Sequence, residues 1–267
     1  MKKMQVWKGS RNMKPLEIKH RVIGGGEPLI CVPVVEQDAQ SVIREITYLS
    51  QSTADMIEWR VDAFRDFTDY NAIRSVFEAV APLLGEKLFL YTFRTAHQGG
   101  MAQVKAEQLD DLHDLAAESG CVDLVDLEFF EEDRPLHKIK RLREMGVSVI
   151  ASHHDFEQTP SPEVMKMLLE KMCAGGADIV KLAVMPQNYK DVLNLLDVTA
   201  QFREENPDTP VITMSMGSLG GISRISGETF GSCVTFGAHE KPSAPGQFAM
   251  KELRQMLDTI HASSRIQ

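Results

Sequence analysis

The chain has 267 residues, 43% of them hydrophobic and 25% charged, and its formal net charge is −9. These values are typical of a globular protein with a large core, and the negative charge argues against a surface for nucleic acid or anionic membrane. The basic N-terminus lacks the apolar core of a signal peptide, and no run reaches the roughly 20 apolar residues of a membrane span. The four cysteines have no CxxC spacing, so we expect reduced thiols in a cytoplasmic protein.

Short apolar runs rich in β-forming residues alternate along the chain with stretches that have helical spacing. The predicted strands are residues 29–35, 56–62, 88–95, 124–130, 147–156, 178–185, 210–217 and 232–238. The predicted helices are residues 37–53, 69–84, 103–119, 133–145, 161–174, 188–204 and 246–261, with one or two helical turns at "GGISR" in the short seventh gap. This alternation predicts a parallel sheet, and at this length an α/β fold of the closed (β/α)₈ (TIM) barrel type. A doubly wound open sheet is the alternative.

The segment before the first strand has a different character. "PLEIKHRVIGGGEP" predicts a small β-hairpin that closes the lower end of the barrel, within an N-terminal extension of residues 1–27. No low-complexity segment or Gly/Ser linker divides the chain. We therefore expect a single domain over residues 1–267.

Polar side chains are concentrated on one face of neighbouring strands. Because side chains alternate along a strand, Lys181 shares a face with Ile179 and Ala183, and His154 shares a face with Ser152. In a barrel this face is the interior, and its C-terminal mouth is where such enzymes hold their active sites. Other polar residues on the interior faces are Glu58, Arg60, Arg94, Asp126 and Glu128. A structural salt-bridge network accounts equally well for the three carboxylates, but not for the lysine and the histidine.

Lys181 and His154 suggest a particular chemistry. A lysine attacks a ketone only in its neutral form, which burial and nearby cations such as Arg60, Arg94 and Arg224 would favour. The resulting iminium is an electron sink, and His154 on the next strand is suited to move protons at neutral pH. His153 has the opposite parity and is expected to face the surrounding helices. Histidine spacings of the HxH or HxxxH type are missing, so we predict no metal site.

These motifs together resemble one family, the type I 3-dehydroquinate dehydratases, from about residue 15 to the C-terminus. The resemblance is carried by "EWRVD" (58–62), "TFRT…GG" (92–100), "SHHDF" (152–156), "DIVKLAVMP" (178–186), "MSMGSLGGISR" (214–224) and "SAPGQ" (243–247). It implies a hydro-lyase of the shikimate pathway that forms an imine between Lys181 and the C3 ketone of 3-dehydroquinate. His154 would remove a C2 proton and assist departure of the C1 hydroxyl, a syn elimination that gives 3-dehydroshikimate.

The resemblance also implies roles for other residues. It assigns substrate binding to Glu58, Arg60, Arg94, Met214, Met216, Arg224, Ser243 and Gln247. Among these, Arg224 is the expected carboxylate clamp, and Ser243 and Gln247 belong to a loop that closes over the substrate. A homodimer is implied, and a cofactor is not.

Gln98 is a departure from the family. The family usually has a glutamate at the corresponding position of "FRTAHQGG", beside the catalytic histidine. Gln98 can form hydrogen bonds but carries no charge and no transferable proton. We expect the imine still to form, with lower turnover and a shifted pH profile.

Two alternatives remain open from the sequence. The first is another Schiff-base barrel, an aldolase or transaldolase acting on a phosphorylated sugar, because "GSLGGISR" lies where barrel phosphate sites are common. The second is a weakened or inactive variant that binds a ligand without turning it over, and it depends on Gln98 alone.

Overall fold

An antiparallel hairpin opens the part of the chain that the computed structural model describes, residues 16–264. Its strands are β1 (Leu16–Ile18) and β2 (Arg21–Ile23). Lys19 between them has φ 54°, the left-handed conformation of a tight turn. The predicted hairpin is therefore confirmed, whereas residues 1–15 of the predicted extension lie outside the described residues.

Eight parallel strands within residues 16–264 form the wall of a nearly closed barrel. They are β3 (Leu29–Val34), β4 (Met56–Arg60), β5 (Leu88–Thr92), β6 (Leu124–Glu128), β7 (Ser148–Asp155), β8 (Ile179–Val184), β9 (Val211–Ser215) and β10 (Val234–Phe236). The sheet order is β10-β3-β4-β5-β6-β7-β8-β9. A parallel bridge between Val211 and Ser232 joins the two ends, supported by the Cys233 N–H, which donates to Val211 O at 2.8 Å. The predicted barrel is confirmed, and the open sheet is not observed.

Helices follow the wall strands and cover the outside of the barrel. They are α1 (Ala39–Ser50), α2 (Tyr70–Val80), α3 (Ala106–Glu118), α4 (Pro135–Glu144), α5 (Pro162–Ala174), α6 (Tyr189–Glu205), α7 (Gly221–Ile225), α8 (Gly227–Phe230) and α9 (Met250–Ser264). Asp38, Asp69 and Asn188 begin three of them, because each side chain accepts backbone N–H groups of the first turn. Among residues 16–264, no helix combines the length and the apolar character that crossing a membrane requires.

The predicted elements are longer than the observed ones at several ends. Strand β4 stops at Arg60 and not at residue 62, because a 3₁₀ helix, Val61–Ala63, follows it directly. The Asp62 carboxylate holds this turn in place by accepting hydrogen bonds from the backbone N–H groups of Arg94 and Met101. Helix α9 starts at Met250 and not at residue 246, because the preceding residues form a loop. In that loop the Gln247 side chain accepts from the Ser243 N–H at 2.7 Å.

Apolar residues form two layers, one on each side of the barrel wall. The outer layer joins strand residues such as Trp59 and Leu182 to the inner faces of the helices. The inner layer joins Met56, Leu124 and Ile179 with Ile23 of the hairpin. Met56, Leu124 and Ile179 are the first residues of their strands. The hairpin that packs against them therefore closes the N-terminal end of the barrel. The cleft described below therefore opens at the opposite, C-terminal end.

His113 on α3 is a buried imidazole between the helix and the wall. Its ring lies edge-on to Tyr91 of β5, with the ring centroids 6.3 Å apart. Within residues 16–264, neither ring nitrogen has a hydrogen-bond partner. Burial, helped by the charge of Lys138, lowers the pKa of His113 to about 4. The ring is therefore neutral in the folded protein at pH values where an exposed histidine is charged.

We expect His113 to make the fold sensitive to acid. An unfolded histidine has a pKa of about 6.5, so the unfolded chain binds the proton first, and stability is lost as the pH falls from about 6.5 towards 4, by roughly 3 kcal/mol. His113→Leu should remove this loss, so that its unfolding free energy in urea falls about 2 kcal/mol less than that of the unsubstituted protein between pH 7 and pH 4.5. The exposed His137 provides the control His137→Leu. Equal pH dependence for His113→Leu and the unsubstituted protein would contradict the expectation.

Candidate active site

Every residue predicted for the site lines one cleft at the C-terminal end of the barrel. The predicted residues are Glu58, Arg60, Arg94, Gln98, His154, Lys181, Met214, Met216, Arg224, Ser243 and Gln247. Gly99, Phe156, Ala183, Phe236 and Ala244 complete the lining.

Lys181 lies in the middle of β8 and is only 3% exposed. Its Nζ donates a hydrogen bond to Asp126 Oδ2 at 2.9 Å and lies 4.6 Å from the centre of the Phe236 ring. Ile179 and Ala183, on the same face of the strand, belong to the apolar inner layer. The amine thus enters the cleft from an apolar wall and has one charged partner among the described residues that contact it.

Asp126 is held from three sides. Arg94 donates to Asp126 Oδ1 at 2.7 Å, Ser152 Oγ donates to the same oxygen at 2.6 Å, and Lys181 donates to the other oxygen. Burial opposes ionisation of Asp126, but the charges of Arg94 and Lys181 outweigh it and hold the pKa of this carboxyl well below its ordinary value. Asp126 is therefore a fixed negative charge beneath the lysine.

A buried ion-pair network extends around Arg94. Its guanidinium also contacts Glu128 Oε1 at 3.0 Å, and Thr95 donates to Glu128 from both its backbone N–H and its hydroxyl. Thr92 Oγ1 donates to Glu58 Oε1 at 2.7 Å. The structural salt-bridge interpretation therefore describes Glu128 well. For Asp126 it is incomplete, because the same carboxylate binds Lys181.

His154 faces the cleft from β7, the strand next to Lys181. Its Nδ1 lies 3.1 Å from Gln98 Oε1, which also accepts the His154 backbone N–H at 2.9 Å. An amide oxygen only accepts, so Nδ1 carries the hydrogen and Nε2 keeps the lone pair. Burial, followed by the charges of Arg94 and Lys181, lowers the pKa of His154 well below its ordinary value. The ring is thus a neutral base in the free protein.

His153 is placed differently from its neighbour. Its ring packs edge-on against Phe130 at 5.4 Å between centroids, and it is not part of the cleft lining within the described residues. This is the outward orientation that strand parity predicts.

Gln98 enters the cleft from a tight turn after β5. The turn contains a 3₁₀ helix, Ala96–Gln98, and the side chain of Gln98 is buried, with 1% exposed. A Cβ atom on Gly100 would lie 1.8 Å from Arg94 O, so only glycine permits this close return of the chain. The turn therefore presses Gln98 inward against His154.

Arg224 on α7 joins the cleft to the loop above it. It is 1% exposed, and its guanidinium donates to Pro245 O at 2.9 Å and Phe236 O at 3.4 Å, while Nε has no partner within residues 16–264. Burial lowers the pKa of Arg224 to about 10. A buried cation with an unused donor is suited to bind a carboxylate.

The loop that contains Ser243 and Gln247 lies against the mouth of the cleft. The Gly217 N–H donates to Pro245 O at 3.1 Å, and Gln247 Nε2 donates to Ser243 Oγ at 3.0 Å. Gly246 has φ +77°, and a Cβ there would lie 2.3 Å from Gly217 O. Glycine at this position therefore allows the loop to pack closely over the cleft.

Asp126 and Phe236 are contacts of Lys181 that sequence reasoning missed as site residues. Strand parity placed Asp126 on the interior face, which was the available signal. Phe236 lies on the three-residue strand β10, opposite Cys31 of β3, and no pattern in the sequence linked it to the lysine.

Comparison with known proteins gives a consistent result. The family model for type I 3-dehydroquinase matches residues 30–264. The 3-dehydroquinate dehydratase of Syntrophotalea carbinolica is 41% identical over 250 residues, which cover 93% of this chain and 99% of the relative. That of Listeria monocytogenes serotype 4a is 42% identical over the same shares of the two chains.

Two solved structures extend the comparison to the fold. The type I 3-dehydroquinate dehydratase of Clostridium difficile, with covalently modified comenic acid, has a TM-score of 0.90 and 38% identity, covering 94% of this chain and 99% of that one. The enzyme of Geobacillus kaustophilus has a TM-score of 0.91 and 36% identity, covering 94% and 98%. From the match over residues 30–264 and these relatives, we conclude that the chain belongs to the type I 3-dehydroquinase family.

Proposed function

We propose that the chain is a hydro-lyase that converts 3-dehydroquinate into 3-dehydroshikimate through an imine on Lys181. The observation that carries this proposal is the pair of the buried Lys181 and the half-buried His154, which lie on adjacent strands and face one cleft. In the β7–β8 register, Ser152 lies opposite Lys181 and His154 opposite Ala183. The histidine is therefore two residues further along the barrel wall than the lysine, and this even offset puts both side chains on the interior face.

The reaction begins at the amine of Lys181. The neutral amine adds to the C3 carbonyl, and the adduct takes up one proton and loses water to leave an iminium. His154 Nε2 then takes a C2 proton, and the electrons of the C–H bond move into the iminium to form an enamine. The enamine expels the C1 hydroxyl, which takes the proton from His154 and leaves as water. Hydrolysis of the product imine frees Lys181.

Asp126 and Arg94 prepare the site for this chemistry. Asp126 is anchored by Arg94 and Ser152 and directs the Lys181 amine into the cleft. A neutral amine can still donate an N–H to Asp126 while its lone pair attacks, and Asp126 then faces the positive charge of the iminium. A fixed, opposite charge at that place stabilises the charge as it develops.

Arg224 and the loop above it bind the substrate in this proposal. The unused Nε donor of Arg224 takes the substrate carboxylate. Ser243 and Gln247 cover the bound molecule from the loop that Arg224 holds through Pro245. Glu58 and Arg60 contact its hydroxyl groups, and Met214 and Met216 provide the apolar wall beside the imine.

An absorbance assay tests the proposed activity. The product is a conjugated enone and the substrate is not, so turnover of 3-dehydroquinate appears as new ultraviolet absorbance. We expect this signal with 3-dehydroquinate and no carbon–carbon bond cleavage with phosphorylated sugars. Cleavage of a sugar phosphate without dehydration of 3-dehydroquinate would favour the aldolase alternative, and inactivity towards both would favour a binding protein.

Gln98 should set the pH range of activity. His154 is the base only when neutral, so kcat/KM falls as the pH drops through its pKa. A carboxylate at position 98 would raise the pKa of His154, since it adds a negative charge beside Nδ1. Gln98→Glu should therefore move the acid limb of the kcat/KM profile to higher pH and raise turnover on the plateau. An unchanged rate and profile would show that Gln98 is not coupled to the base.

We also propose a cytoplasmic homodimer. Exposed apolar side chains on neighbouring helices support a partner surface, namely Val164 and Met167 on α5 with Tyr189 and Leu193 on α6. The free cysteines fit a reducing compartment. Light scattering should give twice the mass of one chain, and Leu193→Lys should reduce it if this surface is the interface.

A further inference from the structure

Glu131 contacts the site from outside the cleft, in the segment after β6. Gln98 Nε2 donates a hydrogen bond to Glu131 Oε1 at 3.4 Å, while Gln98 Oε1 accepts from the backbone N–H and from Nδ1 of His154. Within residues 16–264, Glu131 is the acceptor for the amide nitrogen of Gln98. Glu131 is exposed and does not line the cleft, so it does not face the substrate.

We propose that Glu131 is a positioning residue for His154. A glutamine amide has nearly the same shape in its two flipped orientations, and the hydrogen-bond partners decide between them. A carboxylate only accepts, so Glu131 requires the nitrogen end of Gln98. The His154 backbone N–H only donates, so it requires the oxygen end. Both partners select the orientation that puts the hydrogen on Nδ1 and leaves the lone pair on Nε2.

Glu131 also explains how a chain with Gln98 keeps a carboxylate in the hydrogen-bond network of its base. The family resemblance predicts a glutamate at position 98, in direct contact with the histidine. In this chain the carboxylate belongs to Glu131, which contacts Gln98 and not the histidine. It acts on His154 through the Gln98 amide, which it polarises. This inference depends on the proposed function only in taking Nε2 as the base.

Charged groups lie near both His154 and Glu131, the two residues that Gln98 connects. Burial and the positive charges of Arg94, Lys181 and Arg60 disfavour the imidazolium form of His154, whereas the Asp126 carboxylate favours it. Glu131 also acts on the neighbouring His153: burial lowers the pKa of His153, and the carboxylates of Asp155 and Glu131 oppose that effect. Because Glu131 is screened by solvent, we expect its main effect on His154 to be orientation of the ring.

The first test removes the acceptor. Glu131→Ala should lower kcat/KM about fivefold, the effect of one hydrogen bond. Nitrogen-15 NMR of the ligand-free protein should show His154 as the Nδ1–H tautomer, and a mixture of tautomers in Glu131→Ala. The control is Asp133→Ala, which removes an exposed carboxylate two residues along the same segment. If Glu131→Ala matches this control in rate, pH profile and tautomer, the inference is wrong.

The second test exchanges the two groups. In a Gln98→Glu background, the new carboxylate would face Glu131 at close range, and the two charges repel. Glu131→Gln should therefore raise kcat/KM in that background, because the new amide donates to the carboxylate, and lower it in the unsubstituted protein. An effect of the same sign in both backgrounds, or none in either, would overturn the inference. The tautomer measurement needs no turnover, so it separates failure of this inference from failure of the proposed function.

Discussion

Lys181→Met should reduce turnover by roughly 10⁴-fold or more while leaving the fold intact. Methionine keeps the length and the apolar stem of the side chain but has no amine, so the imine cannot form. Asp126 retains Arg94 and Ser152 as partners, so the substitution does not leave a bare buried charge. Steady-state kinetics with 3-dehydroquinate measure the loss, and circular dichroism with thermal unfolding verifies the fold.

The matched control is Lys171→Met, the same change at an exposed lysine on α5. We expect this variant to keep the activity of the unsubstituted protein. Turnover in Lys181→Met within about tenfold of that level would mean that the chemistry does not pass through this amine.

His154→Gln has the second largest expected effect, a fall in kcat on the order of 10³-fold. Glutamine fills a similar volume and can form hydrogen bonds, but it does not take up a proton at neutral pH. Lys181 is untouched, so the ligand should still become attached to it. The expected pattern is loss of turnover with retention of the imine, measured by kinetics and by mass spectrometry after reduction.

The neighbouring histidine gives the control for that variant. His153→Gln makes the same change one residue earlier, on the face of β7 that packs against Phe130, and its activity should be near that of the unsubstituted protein. If the two variants lose equal activity, the assignment of the base to His154 is wrong.

Much of this site was predictable because strand parity is a local property. The two-residue period placed Lys181 and His154 on one face of adjacent strands, and the barrel turned that face inward. The hairpin at the N-terminal end was also visible in the sequence, since a glycine-rich segment, Gly24–Gly26, separates it from the first wall strand.

Contacts across the barrel were harder to predict. Parity gives the face of a side chain but not which interior side chains meet, so the hydrogen bond between Lys181 and Asp126, 55 residues apart, came only from the structure. The contact between Gln98 and Glu131 joins two irregular segments 33 residues apart. Such segments have no repeat from which an orientation could be deduced.

The start of α9 illustrates a third kind of limit. Helical spacing extended the predicted helix back to residue 246, but the hydrogen bonds of Gln247 with Ser243 keep that segment in a loop. The close packing of Gly246 against Gly217, a tertiary contact, therefore determines that this segment is a loop and not the first turn of α9. It is this segment that covers the cleft.

Borohydride reduction in the presence of 3-dehydroquinate, followed by peptide mass mapping, tests the central claim most directly. Borohydride converts an imine into a stable amine, so the ligand stays attached to the residue that bound it. The account predicts one adduct, on the peptide that contains Lys181, and its disappearance in Lys181→Met. An adduct on another lysine, or turnover of 3-dehydroquinate with no adduct at all, would contradict it.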